Sequence, residues 1–264
     1  MLYSEIKTSA TKTFIKDRLQ VKAYATRDEM GKAVSKEVAS KIQEILNVKD
    51  EVNMIFASAP SQEEFIKYLI NNPSIKWNKI NAFHMDEYIG LEKDAPQGFG
   101  NNLKKMFFNK VPFKSVHYIN GHISDVEAEC SRYTQLLKEN PVDIVCLGIG
   151  ETGHLAFNDP HVADFNDPKW VKIVNLELVS RQQQVNEGCF SRLHMVPNMA
   201  ITLTIPALMS APWVFCISPS TNKAQAVYRT LNNHINEKCP ATILRIKENA
   251  KLYLDTDSAS LLNV

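Results

Sequence analysis

The sequence predicts an α/β fold, a single Rossmann-like three-layer domain spanning 1–264 with a mostly parallel sheet. Three observations predict it. Short apolar, β-branched runs alternate with stretches of helical periodicity along most of the chain. The runs Val142–Leu147 and Trp213–Ile217 are almost continuously apolar, as strands covered on both faces must be. No Gly/Ser-rich linker, like-charge block or internal repeat divides the chain.

The elements follow in order. Thr26-Arg27-Asp28-Glu29 has the spacing of a capping box, and Met30, Val34, Val38, Ile42 and Ile45 then recur on one helical face. Val52–Ala57 reads as a strand. Ser61-Gln62-Glu63-Glu64 opens a second helix in the same way, with Phe65, Leu69 and Ile70 as its apolar stripe. Ile80–His84 reads as a strand, Asn101–Val111 as a helix and Val116–Ile119 as a short strand. Ser124-Asp125-Val126-Glu127 caps a helix running to about Glu139, and the strand Val142–Leu147 follows Pro141. Further strands are expected at Val171–Leu176, Ala200–Thr204, Trp213–Ser218 and Lys251–Leu254. A helix starting near Thr221 carries Ala224, Val227 and Leu231 on one side. Right-handed β-α-β units of this kind give a parallel sheet with helices on both faces.

Composition excludes several partners. The chain has 264 residues, 44% of them hydrophobic and 22% charged, with a net charge of +1. No cluster of Lys and Arg with interleaved aromatics is present, so no nucleic acid partner is expected. No window approaches the apolar length of a membrane span, so no membrane partner is expected either. The N-terminal stretch lacks the apolar core of a secretory signal. Cys130, Cys146, Cys189, Cys216 and Cys239 are odd in number, widely spaced and without a C-x-x-C. Together these predict a cytoplasmic protein without a disulfide framework or a structural metal.

In open α/β sheets, ligands bind in the crevice outside the carboxyl ends of the strands. That rule selects four loops: Ser58-Ala59-Pro60-Ser61, Met85-Asp86-Glu87-Tyr88, Gly148–Pro160, and Ser218–Lys223. Gly148, Gly150 and Gly153 match G-x-G-x-x-G. A dinucleotide fingerprint, however, belongs to the first β-α turn and opens a long helix. Here the motif comes late and ends in a turn at Pro160, so the glycines are read as close backbone approach to a small ligand. His154 is either a structural histidine or a proton shuttle, and a strand-end loop with Asn158 and Asp159 close behind it favours the shuttle. Asp86 and Glu87 are either a solvated acid pair or a base at a buried strand end, where burial raises a carboxyl pKa towards the working range.

Ala82-Phe83-His84-Met85-Asp86-Glu87-Tyr88-Ile89-Gly90-Leu91 resembles the F-N-M-D-E-Y-x-G-L motif of the glucosamine-6-phosphate deaminase/isomerase family. Gly148–Pro160 resembles that family's G-x-G-x-D-G-H-x-A-F-N-E-P motif, and Ser220-Thr221-Asn222-Lys223-Ala224 its later lysine turn. The resemblance runs from about Phe56 to Leu254. It implies an enzyme that opens the ring of an amino-sugar 6-phosphate, isomerises aldose to ketose and releases ammonia, with no metal or organic cofactor. It implies Asp86 as the base moving a proton from C2 to C1, His154 as the group assisting ring opening, Asp159 as the acid orienting His154, and Lys223 as a phosphate ligand. Glu87, Gly150, Thr152, Gly153 and Asn158 are then expected to line the substrate.

The sequence departs from the family at three places. Thr152 stands where the family has aspartate, Asp159 where it has glutamate, and Ser58-Ala59-Pro60-Ser61-Gln62 where it has a loop of the type T-G-G-T-P. Pro60 gives no amide, so the hydroxyls of Ser58 and Ser61 are expected to replace lost donors. The expected partner is a small amino-sugar phosphate, glucosamine or its galactosamine epimer, with a homo-oligomer left open. Arg181, in Arg181–Asn186, is either an exposed helix residue or a phosphate ligand. Competing readings are a 6-phosphogluconolactonase, which shares this fold and a related motif, and a sugar-phosphate sensor without catalysis.

Overall fold

The computed structural model describes residues 9–262. Eight strands form one sheet: β1 (Lys12–Lys16), β2 (Leu19–Tyr24), β3 (Val52–Phe56), β4 (Ile80–His84), β6 (Ser115–His117), β7 (Ile144–Leu147), β10 (Trp213–Ile217) and β11 (Ala250–Asp255). Their spatial order is β1-β2-β11-β10-β7-β3-β4-β6, and only the β1–β2 pair is antiparallel. The mixed α/β architecture with a mostly parallel central sheet is therefore as the sequence predicts. From β3 the chain steps outward to β4 and β6, then returns to the other side of β3 as β7 and continues to β10 and β11. The direction reverses between β3 and β7, and that switch point opens a crevice at the strands' carboxyl ends.

Alternation along the strands divides the core into two layers. Met54, Phe56, Ile144, Cys146, Phe215 and Ile217 pack in one cluster with Met30, Val34 and Val38 of α1 (Arg27–Leu46) and Phe65 and Leu69 of α2 (Glu63–Ile70). Ile55, Val145, Leu147, Val214 and Cys216 pack in the other. Their partners there include Cys130, Tyr133 and Leu137 of α4 (Val126–Glu139) and Val227 and Leu231 of α7 (Ala224–Asn232). Neighbouring strand residues point to opposite faces, so continuous apolar runs feed both layers.

Helix starts show where local chemistry was readable. The Thr26 hydroxyl accepts a hydrogen bond from the Glu29 amide, as its spacing predicts. Asp125, rather than Ser124, is the cap of α4, accepting from the Ala128 amide. Ser61 does not cap α2. Proline favours the first position of a helical turn, and Pro60 starts a 3₁₀ turn over Pro60–Gln62 that leaves Ser61 inside it.

The helix expected over Asn101–Val111 is instead α3 (Phe99–Leu103) followed by one π-helical turn over Lys104–Phe108. The extra residue of a π turn places both Phe107 and Phe108 inward. Phe107 lies edge-on to Phe56 at 5.0 Å, Trp77 at 5.6 Å and Phe113 at 5.1 Å. Phe107→Ala should destabilise the chain by about 3–5 kcal/mol, read from the urea midpoint at unchanged m-value.

Three features of the topology depart from the sequence reading. The stretches expected as strands near Val171 and Ala200 form β8 (Val171–Asn175) and β9 (Met199–Leu203). They leave the main sheet for a second, antiparallel one of three strands, with β9 in the middle and β8 on one side. The central strand pairs on its other side with β5 (Asp86–Tyr88), which the sequence reading leaves as loop. The β1–β2 hairpin is also unannounced, because its turn uses Asp17 at φ 53° where a glycine signal would be expected. Between β8 and β9 lies α5 (Leu178–Asn186), and between β9 and β10 the short α6 (Ile205–Met209). No described helix is long and apolar enough to cross a membrane.

Candidate active site

A cleft of about 370 Å³ opens at the switch point, lined by loops following β3, β4, β7 and β10 and by one face of α5. Ser58, Ser61, Asp86, Gly150, His154 and Lys223 all line it, so four separate loops converge as the crevice rule requires. Glu87, Thr152, Gly153, Asn158 and Asp159 do not.

Asp86 begins β5, whose pairing with β9 (Asp86 opposite Thr202) holds it at the cleft. It is only 7% exposed. Burial, and then the neighbouring charge of Glu87, push its carboxyl well above the usual range. His84 fixes the backbone beneath it. That imidazole is fully buried, which lowers its pKa to about 4 and leaves it neutral at pH 7. Its Nε2 accepts from the Ile119 amide at 2.9 Å, so Nδ1 carries the hydrogen and donates to the Asp86 carbonyl at 3.0 Å.

Glu87 has a different place from the one expected. Successive residues of a strand face opposite ways, and Glu87 turns from the cleft into the amides of Tyr88 and Phe99 at 2.9 Å each and Gly100 at 2.8 Å. Burial raises its pKa, against the three amide hydrogen bonds. It ties the start of α3 to β5, which positions Phe99 and Asn102 on the cleft wall.

The loop after β7 carries His154. Its Nδ1 lies 2.9 Å from Asp159 Oδ1, so the shorter acid does reach the ring. The Thr152 hydroxyl bridges the pair, 2.8 Å from His154 Nδ1 and 3.0 Å from Asp159 Oδ1. Ser180, from α5, donates to the same carboxylate oxygen at 2.6 Å. Burial raises the Asp159 pKa, but hydrogen bonds from His154, Ser180 and Thr152, with the imidazole's charge, bring it below the usual value. An ionised Asp159 selects the tautomer with hydrogen on Nδ1 and leaves Nε2 as the working nitrogen.

Two glycines have steric reasons. A Cβ on Gly150 would lie 2.0 Å from His154 Nε2 and 2.1 Å from its Cε1. Gly153 sits at φ +88°, and a Cβ there would meet Cys239 Sγ at 2.6 Å. Gly150→Ala should drive the imidazole from its place and lower kcat about 100-fold, checked by steady-state rates and the histidine NMR signals. Asn158 is fully buried, donating to the carbonyls of Leu155 and Leu203, and shapes the loop without reaching the cleft.

Across the cleft, Ser220 takes φ 82°, a strained value for a non-glycine, with its amide held by both oxygens of Asp255 at 3.0 Å. The turn sends Lys223 inward, 5% exposed, where it pairs with Glu187 at 3.0 Å. On the loop after β3, Ser58 Oγ accepts from Asn102 at 2.9 Å and Ser61 Oγ from Gln62 at 2.9 Å. Arg181 lies on none of these walls: its guanidinium donates to the carbonyls of Leu193 and Val196.

The α5 wall is the part sequence reasoning missed. Ser180, Gln183, Gln184 and Glu187 lie at i, i+3, i+4 and i+7, one face of a helix. The helical spacing is legible in the sequence, but a polar stripe is ordinarily a solvated face, and nothing local marks this one as turned inward. Ser180 holds Asp159, while the other three line the cleft.

Residues 25–253 match the family model described as glucosamine-6-phosphate isomerases/6-phosphogluconolactonase. The chain is similar to glucosamine-6-phosphate deaminase of Bacillus cereus (strain B4264), 32% identical over 220 residues, which cover 83% of this chain and 82% of that one. It is equally similar to the deaminase of Listeria monocytogenes serotype 4a (strain HCC23), 32% identical over 212 residues, 80% of this chain and 88% of that one. Among solved structures, a monomeric glucosamine-6-phosphate deaminase superposes with a TM-score of 0.83 at 28% identity, covering 91% of this chain and 99% of that one. A 6-phosphogluconolactonase from Thermotoga maritima shares the fold, with a TM-score of 0.70 at 20% identity, covering 89% and 99%.

Proposed function

The chain belongs to the family of glucosamine-6-phosphate isomerases and 6-phosphogluconolactonases, and we propose that it is the isomerising deaminase of an amino-sugar 6-phosphate. It is an enzyme of the glucosamine-6-phosphate deaminase type; the residues and the sugar are the proposal.

The observation that carries the proposal is one cleft holding two separately positioned groups from strands on either side of β3. Asp86 is a carboxyl whose pKa is raised by burial, as suits a general base. His154 is an imidazole fixed through Nδ1 by an ionised acid, as suits a proton donor and acceptor at Nε2.

In the proposed sequence, His154 Nε2 moves the proton between the anomeric hydroxyl and the ring oxygen as the C1–O bond opens. Asp86 then takes the hydrogen from C2 as a proton. The electron pair forms a C1=C2 double bond while the C1=O π pair moves to O1, which takes a proton from solvent, and Asp86 then returns its proton to C1 onto the C1=C2 pair. Nitrogen's lone pair makes C2 an iminium, water adds, and ammonia leaves a ketone at C2. Lys223, with the hydroxyls of Ser58 and Ser61, takes the phosphate. Thr152, Gly150, Gly153 and Asn158 serve by holding the histidine loop, and Glu87 by holding α3. The buried thiols of Cys130, Cys146, Cys216 and Cys239 favour a reducing compartment, so we place the enzyme in the cytoplasm.

The test is an ammonia-release panel over glucosamine-6-phosphate, galactosamine-6-phosphate, their N-acetyl forms and 6-phosphogluconolactone. Ammonia and a ketose phosphate should come from a free amino sugar only, because an amide nitrogen supplies no leaving ammonia. Hydrolysis of the lactone without ammonia from any sugar would overturn the proposal.

A further inference from the structure

The cleft is more acidic than a site for an anionic ester needs. Glu63, Asp86 and Glu187 line it against a single lysine, Lys223. That lysine is already paired. Glu187 Oε1 takes its Nζ at 3.0 Å and the Gln183 amide Nε2 at 2.8 Å, and the Glu187 and Lys223 side chains are 15% and 7% exposed. Gln183 is held in turn by the Glu151 amide at 3.0 Å, and Glu151 Oε1 accepts from Asn222, next to Lys223, at 3.1 Å. Glu151, Gln183, Glu187, Lys223 and Asn222 thus close a hydrogen-bonded ring between the histidine loop, α5 and the lysine turn.

We propose that Glu187 is a specificity-determining charge gate on the anionic end of the substrate. Held by Gln183, it neutralises Lys223 in the empty cleft. A phosphate ester must then either break the Glu187–Lys223 contact or bind against a fixed carboxylate. Neutral sugars meet no such barrier. The inference rests on the reading of Lys223 as the phosphate ligand.

A built position distinguishes this from a casual surface pair. Removing a like charge about 5–6 Å from a bound anion in a partly buried site strengthens anion binding by an order of magnitude or more. Glu187 is nearly isosteric with glutamine, and glutamine still accepts from Gln183 and Lys223, so Glu187→Gln removes charge and little else.

Calorimetry with inorganic phosphate as probe reads the effect without turnover, so a chain that releases no ammonia still reports on the gate. Glu187→Gln should bind phosphate about tenfold tighter than the wild type. Glucose, which lacks both the phosphate and the charged amine, should bind both alike. On the Lys223→Met background the Glu187→Gln gain should shrink, since the phosphate has lost its cation. Gln183→Met, which frees Glu187 without changing charge, should tighten phosphate binding by a smaller factor, and it provides the test if Glu187→Gln does not fold. Phosphate affinity unchanged or weakened in Glu187→Gln overturns the gate, as does a gain of the same size for glucose.

Discussion

Replacing Asp86 by asparagine should lower kcat by about 1000-fold or more, with KM little changed. Asparagine fills the same volume at the start of β5 but cannot take a proton from carbon. The wild type should also lose kcat/KM on the acid side at a pH above the ordinary carboxylate range, because burial and then Glu87 raise the Asp86 pKa. That limb should vanish in the variant's residual rate. Stability should move the other way. A carboxyl whose pKa is raised by folding stabilises the fold while protonated, at low pH, and loses that contribution as pH rises through the native value. The loss grows as pH rises above the ordinary carboxylate range, so Asp86→Asn should melt higher than the wild type at pH 8, and the difference should shrink on acidification. A variant with near-normal kcat would remove Asp86 from the role of base.

The second large effect belongs to Asp159→Asn. The carboxylate accepts from His154, Ser180 and Thr152 through one oxygen, and that concentration of donors keeps it ionised despite burial. An asparagine can turn its NH₂ towards the ring, which favours the tautomer with hydrogen on Nε2 and removes the acceptor needed there. The expected loss is about 100–1000-fold in kcat, with substrate binding largely kept. Nitrogen NMR of the imidazole should show the wild type with hydrogen on Nδ1 and the variant shifted towards Nε2. A full-rate variant with an unchanged tautomer would mean that Thr152 and Ser180 alone orient His154.

Much of the site was legible because its signals are local. A carboxylate directly after the buried run Ile80–His84 could be placed at a strand end without any long-range knowledge. The same holds for the glycine-rich turn after Ile144–Leu147, where Gly150 makes room for the imidazole that follows it. Glu87 was misplaced for a physical reason: Asp86–Tyr88 is a three-residue strand, too short to show a period, and pairing with Ala200–Thr202 is what turns Glu87 from the cleft. The second sheet escaped for the same reason, since pairing between β5 and β9 spans over a hundred residues of chain and leaves no local mark. The α5 wall did leave one. Ser180, Gln183, Gln184 and Glu187 follow the helical period, but a polar stripe is ordinarily a solvated face, and only the fold shows that it turns inward. The short Asp159 reaches His154 because of the tight loop around Gly153, a geometry that no count of methylenes could supply.

In the proposed reaction hydrogen leaves C2 as a proton and carbon 2 becomes the ketone. The most direct measurement follows deuterium from glucosamine-6-phosphate labelled at C2, by NMR of the sugar product. The product should be a ketose phosphate with no deuterium at C2, a fraction of it recovered at C1, and one ammonia released per ketose formed. Ammonia released with an aldose product that still carries deuterium on C2 would contradict it.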